Sequence, residues 1–147
     1  MTLIAWDGKV LAADRNLFHG DDIIGQHNKL LRIDADRIGA FCGVQPVGWQ
    51  IVEWLRNGGR REEYPSDARN ENMLTDLFVV HRDGTVHIYG KSPWPSVLRM
   101  QRHAIGMGAE YARAAMQCGR DAVQAIEVAA VFNHWVGGGV DTMAFDG

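Results

Sequence analysis

Nowhere in the 147 residues does a run of apolar side chains approach the roughly 20 that a membrane-spanning helix needs. The first residues also lack a basic segment followed by a long apolar run, so no secretory signal is read there. Cysteine is scarce. Cys42 and Cys118 stand alone without CxxC spacing, which removes a disulfide framework and points to a reducing, cytoplasmic setting. Positive charge is not in excess either. The formal net charge is -3, and the one basic cluster, "RNGGRREE", carries its own acids. A solvated turn accounts for it, and neither nucleic acid nor an acidic membrane is indicated as a partner. Compact metal-ligand spacing is missing among His19, His27, His81, His87, His103 and His134. The "GGG" at 137–139 lacks the strand-before, helix-after setting of a phosphate loop.

What is present is an ordinary globular balance, 46% hydrophobic and 22% charged, in a length that suits one domain over 1–147. "TLIAWDGKVLAAD" reads as two short strands around Asp7-Gly8, a two-residue hairpin signal. After a polar loop, "IIGQHNKLLRID" and "RIGAFCG" supply a second strand pair with "DAD" at the turn. Pro46 suits the first turn of a helix, and "VGWQIVEWLRN" puts Val47, Ile51, Trp54 and Leu55 on one face. Gly58-Gly59 stops it. Residues 60–72 read as a loop with room for one helical turn. "DLFVVHRDGTVHIYG" is another hairpin, around Asp83-Gly84; His81 and His87 flank it and could face each other, though the plain reading makes them solvent-facing strand residues. "KSPWPS" forbids regular structure because its prolines cannot donate hydrogen bonds. A short strand in "HAIGMG" then leads to two alanine-rich helices, "AEYARAAMQCG" and "RDAVQAIEVAAVFNHW", and "GGGVDTMAF" closes with a strand. Strands clustered apart from helices predict an α+β layered fold rather than βαβ winding. The five tryptophans are read as core or subunit-interface residues.

The chemistry turns on Thr2. A threonine hydroxyl is a poor nucleophile unless a base takes its proton, and a free α-amine on the same residue can do so. That amine titrates at about 7.7–8.0 when unperturbed, near working pH. Removal of Met1 would create both groups on Thr2. The bland alternative is that Met-Thr is simply a common way for a chain to begin.

The wider pattern "T-L-I-A-W-D-G-K-V-L-A-A-D-R", then "N-K-L-L-R-I" and "F-C-G", resembles the N-terminal half of proteasome β-type subunits and HslV-like peptidases. "AIGMGAEYARAAM" and "DAVQAIEVAAVFNHWVGGGV" are similar to that family's glycine-bracketed strand end, following helix, second long helix and glycine-rich return. The likeness spans nearly the whole chain and is weakest over 57–72, where this sequence is shorter than typical members.

The resemblance implies a four-layer αββα sandwich of the N-terminal nucleophile hydrolase type, shortened. It also implies a threonine-type peptidase subunit of a self-compartmentalising protease. The matching positions are Thr2 as nucleophile, Asp14, Lys29 and Gly43. Strands one and two would bring Thr2 and Asp14 to one sheet edge, with the Lys29 strand beside them. Lys29 would stabilise the threonine oxygen, Asp14 would orient Lys29, and the Gly43 N–H would receive the oxyanion. Against that stand a surface Asp–Lys pair worth at most about 1 kcal/mol, and an ordinary strand-end glycine. His27, two residues before Lys29 and on the same face of a strand, would line the substrate cleft. Met107 and Asn133 are assigned to the cleft as well.

Three positions depart from the family pattern. It commonly has serine where Met107 stands, and aspartate and serine where Asn133 and Val136 stand. Methionine and valine cannot replace hydroxyls, and asparagine brings no negative charge. Two further readings follow: a catalytically inactive ring or scaffold protein, and an N-terminal nucleophile amidase acting on a small molecule. The resemblance implies a protein or peptide substrate, a homo-oligomeric double ring and, by analogy, an ATP-dependent unfoldase partner. It calls for no metal or organic cofactor.

Overall fold

The computed structural model describes residues 2–146, which form two compact units. One runs from the N-terminal stretch to Leu30 and resumes at Met100; the other is Leu31–Arg99.

The first unit is built on strands β1 (Leu3–Trp6) and β2 (Leu11–Asp14), every residue of which is buried. They are the interior strands of a four-stranded antiparallel sheet. β10 (His103–Gly106) borders β1, and β11 (Val140–Met143) borders β2. Helices α2 (Ala109–Gln117) and α3 (Ala122–Phe132) pack on this sheet. Small side chains make the contact close: Ala5, Ala12 and Ala104 meet Ala109, Ala112, Ala115, Ala122, Ala125 and Ala129 in one core with Leu3, Met116 and Ile126. Buried alanine loses no side-chain entropy and lets helix and sheet backbones approach. Asp121 caps α3 reciprocally. Its carboxylate accepts from Gln124 N–H at 2.8 Å, and its own N–H donates to the Gln124 side chain at 3.1 Å. Asp7 Oδ2 accepts from Ala122 N–H at 2.9 Å, adding a negative charge at the positive helix end.

The second unit has a five-stranded sheet, ordered β5 (Leu30–Asp34), β6 (Arg37–Gly43), β7 (Thr75–His81), β8 (Val86–Tyr89) and β9 (Ser96–Leu98). Helix α1 (Gln45–Arg56) covers one face through Val47, Ile51, Val52, Trp54 and Leu55. Trp54 stands edge-on to Tyr64 and Tyr89, with ring centroids 4.8 and 5.6 Å away, and donates from its indole N–H to Arg60 O. Trp6 and Trp54 are core residues as read from the sequence, Trp135 is half-buried, and Trp49 and Trp94 are exposed. No helix of the described residues is long and apolar enough to cross a membrane.

Several elements differ from the sequence reading. Asp7-Gly8 does not make a two-residue turn. The loop runs 7–10, because Asp7 Oδ1 gathers the N–H groups of Lys9 and Val10. The polar loop after β2 is instead a two-stranded ribbon, β3 (Asn16–His19) and β4 (Asp22–Gln26), joined by Gly20-Asp21. The single strand expected over 23–34 is therefore two. It breaks at 27–29, where Asn28 Oδ1 accepts the Leu30 N–H at 2.9 Å and His27 N–H donates to Arg15 O. Residues 60–72 hold two short 3-10 turns, Arg61–Glu63 and Asp67–Arg69. Helix α3 stops at Phe132 rather than at Trp135, because Asn133 turns extended and its side chain accepts from Trp135 N–H. The prolines of "KSPWPS" do stay outside strands, but β9 begins at Ser96, immediately after them.

His81 and His87 are not solvent-facing. Both are half-buried, with ring centroids 4.3 Å apart. Desolvation holds both below the ordinary imidazole pKa, and Arg37 adds repulsion at each; His81 is lowered further by His87. A lowered folded-state value means that the unfolded chain binds protons first as pH falls. Folding stability should therefore be fully present above about pH 6.5 and decline as pH drops below it. Urea denaturation across pH 5–8 checks this, and a His87→Gln variant should show a shallower decline.

Candidate active site

The end of β2 places Asp14 in the interior of the first unit, 1% exposed. Its Oδ1 accepts from Lys29 Nζ at 2.7 Å, and Lys29 is itself 1% exposed. The solvent-screened pair considered from the sequence is thus excluded: both charges have left water. A charge removed from water requires close, hydrogen-bonded compensation. Asp14 has it from three sides. Besides the ammonium, Oδ1 accepts the Leu3 N–H at 3.0 Å, and Oδ2 faces the Gly137 N–H at 3.3 Å.

The Leu3 N–H belongs to the peptide that leaves Thr2, so the carboxylate grips the main chain directly after the candidate nucleophile. From the other side the Thr2 carbonyl accepts the Met107 N–H at 2.8 Å. The close approach there depends on Gly106, which pairs with Leu3 in the β1–β10 ladder and has φ +101°. A Cβ at Gly106 would lie 1.9 Å from the Thr2 carbonyl oxygen, so only glycine fits. Thr2 is 8% exposed, and both polar groups of the peptide bond that follows it are hydrogen-bonded. Removal of Met1 concerns a residue outside the described ones.

Thr2, Asp14 and Lys29 are therefore brought together within one unit, with two corrections to the expected geometry. β1 and β2 are interior strands, so Thr2 and Asp14 meet at one end of the sheet rather than at its edge. Lys29 also does not arrive on a neighbouring strand. It sits in the 27–29 break, and the strand that follows it, β5, pairs with β6 in the other sheet. His27 accordingly shares no strand face with Lys29; it is half-buried while Lys29 is fully buried. Gly43 ends β6 in the second unit with φ +102°, and a Cβ there would meet the Leu74 carbonyl oxygen at 2.1 Å. It is obligatory on local grounds, as Gly106 is.

The three departures have structural uses. Met107 serves Thr2 through its main-chain N–H, while its side chain packs against the α2–α3 core. Asn133 Oδ1 accepts the Trp135 N–H at 3.0 Å, and Val136 is 4% exposed in the same core. Sequence reading missed the carboxylate's amide donors, Leu3 and Gly137, because main-chain donors leave no residue-type signature. The "GGG" run was the one visible hint at Gly137. Among the described residues no group of three or more metal-ligating side chains comes together.

The pair is asymmetric, and that yields a test. Asp14→Ala leaves Lys29 with no counter-charge among the described residues and should destabilise the fold by about 3–5 kcal/mol. Lys29→Met leaves Asp14 its two amide donors and should cost clearly less. Guanidinium denaturation of both variants beside the parent checks the order.

The sequence matches no protein-family model and no curated protein. The structure is similar to the crystal structure of eukaryotic HslV from Trypanosoma brucei, with a TM-score of 0.72 at 18% sequence identity. The likeness covers 97% of this chain and 98% of that one. At such identity it speaks for the fold, and the α+β class with its antiparallel sheets agrees with it: the chain has an HslV-like fold.

Proposed function

We propose that the protein is a threonine-type peptidase subunit, with Thr2 as nucleophile once Met1 is removed. The observation that carries this is the buried Lys29–Asp14 pair gripping the peptide that leaves Thr2, in a fold of the HslV type. The hydroxyl oxygen of Thr2 attacks a substrate carbonyl carbon, and its own α-amine takes the proton. Lys29 stabilises the negative charge that develops, and Asp14 holds the ammonium in place. The Gly43 N–H donates to the oxyanion. The tetrahedral intermediate collapses with loss of the amine product, which takes the proton from the α-amine. Water then cleaves the ester and restores the hydroxyl. His27, Met107 and Asn133 belong to the walls of the cleft in this reading.

The near-complete two-way coverage with HslV supports treating 1–147 as one proteasome β-type domain. The sequence resemblance carries the rest of the reading: a homo-oligomeric double ring acting on protein or peptide substrates in the cytoplasm, served by an ATP-dependent unfoldase. The reaction as written uses no cofactor.

A second reading, an inactive ring or scaffold protein, is favoured by one set of observations. The side chains of Met107, Asn133 and Val136 are engaged in packing or capping and supply neither hydroxyl nor carboxylate to the threonine amine. A small-molecule amidase would share the nucleophile and differ in the cleft.

Intact-mass measurement separates these first, since a retained Met1 blocks the amine and favours the scaffold. Incubation with an epoxyketone or β-lactone should then add one label at Thr2, and a Thr2→Ala variant should take none. Correctly processed, assembled protein that resists labelling would defeat the peptidase reading. Turnover of peptides against small amides distinguishes the two enzymes.

A further inference from the structure

The third donor to Asp14 comes from far along the chain, and the structure shows what holds it. The Gly137 carbonyl accepts two N–H groups, from Arg15 and Asn16, each at 3.1 Å. The Asn16 side chain, on a residue only 7% exposed, donates from Nδ2 to the Trp135 carbonyl at 3.2 Å. Its Oδ1 packs so closely on Gly138 that a Cβ there would come within 2.4 Å of it. Residue 16 thus contacts the return segment at three positions, 135, 137 and 138. The central one carries the N–H that faces Asp14 Oδ2. Arg15 adds an outer fastening through Asp141 and the Val140 carbonyl, at the start of β11.

The geometry points to Asn16 as a positioning residue for Asp14. It presents the Gly137 amide to the carboxylate and so fixes the orientation in which Asp14 holds Lys29 and the Thr2–Leu3 peptide. This rests on the threonine-peptidase reading for its catalytic consequence, though not for its geometry. It also explains how the return segment stays ordered where Asn133 and Val136 replace the family's acid and hydroxyl. A side chain on β3 fastens the segment from the opposite side. Asn16 touches neither nucleophile nor substrate in this scheme. It acts through Gly137, and misplacing a supporting group by about 1 Å is enough to lose roughly a hundredfold in rate.

The test uses the full-length chain carrying Asn16→Ala and, separately, Asn16→Ser, whose hydroxyl is too short to reach the Trp135 carbonyl. Two readouts are taken. The first is exchange protection and the amide resonance of Gly137, which need no activity. Protection should fall at least tenfold and the resonance should move, while the thermal midpoint stays within a few degrees of the parent. The second is Thr2 labelling by the epoxyketone. The maximal inactivation rate should drop roughly ten- to hundredfold with little change in the inhibitor concentration at half-maximal rate. Unchanged Gly137 protection in both variants overturns the proposal, as does parent-like inactivation in both. Global unfolding of both overturns it too, since Asn16 would then be a residue of the fold as a whole. If the parent itself takes no label, the peptidase reading falls and the Gly137 readout alone decides the role of Asn16.

Discussion

A carboxylate and an ammonium, each 1% exposed and 2.7 Å apart, are the constraint around which the first unit is organised. Replacing such a pair with apolar residues of similar volume is often neutral or stabilising, so stability is a poor reason for its presence. Its position is more informative. The carboxylate binds the main chain beside Thr2, and the ammonium is a fixed positive charge removed from water. In such surroundings preorganised charge acts strongly on a developing anion, because no solvent must reorganise around it. In the proposed reading the pair is a device for chemistry rather than a brace. Its desolvation is offset by the close ammonium–carboxylate contact and by the Leu3 and Gly137 amides.

The departures from the family pattern acquire a physical meaning in this setting. None leaves an obvious defect. Met107 keeps a main-chain bond to Thr2 and lends its side chain to packing, Asn133 closes the end of α3, and Val136 fills the core. The local structure is consistent with these substitutions at every level, from cap to core, which is what a sequence settled on one fold displays. Three side chains differ from the family pattern, while the groups that fix the Thr2–Leu3 peptide are in place.

Much of the architecture was legible where a strong local signal met a matching tertiary environment. The α1 stripe of Val47, Ile51, Trp54 and Leu55, the Asp83-Gly84 hairpin and the break at Gly119 all lie where periodicity and turn chemistry put them. The failures share a cause. At Asp7, Asn28 and Asn133 a short polar side chain captured nearby main-chain N–H groups and reset the element boundary, and such capture depends on geometry that composition does not reveal. The ribbon of β3 and β4 was missed because Gly20-Asp21, a workable two-residue turn, was absorbed into a polar stretch. In the candidate site, Thr2, Asp14 and Lys29 could be named from the family resemblance of the motifs that carry them. Their depth could not, because burial of an ion pair is decided by what packs over it. Gly137 and Asn16 were invisible for another reason: one acts through a main-chain amide, the other through contacts to a segment more than a hundred residues away.

That long separation has a consequence for the life of the polypeptide. Gly137 lies 123 residues after the carboxylate it faces, and β11, the strand bordering β2, follows it. A chain emerging from the ribosome presents its first strands early, yet the strands that border them are made about a hundred residues later. Until then Asp14 lacks its third donor and β2 lacks a flank. The carboxylate's donor set is thus completed by a segment made long after the strand that carries it, and in the proposed reading a growing chain holds no finished cutting centre until that segment appears.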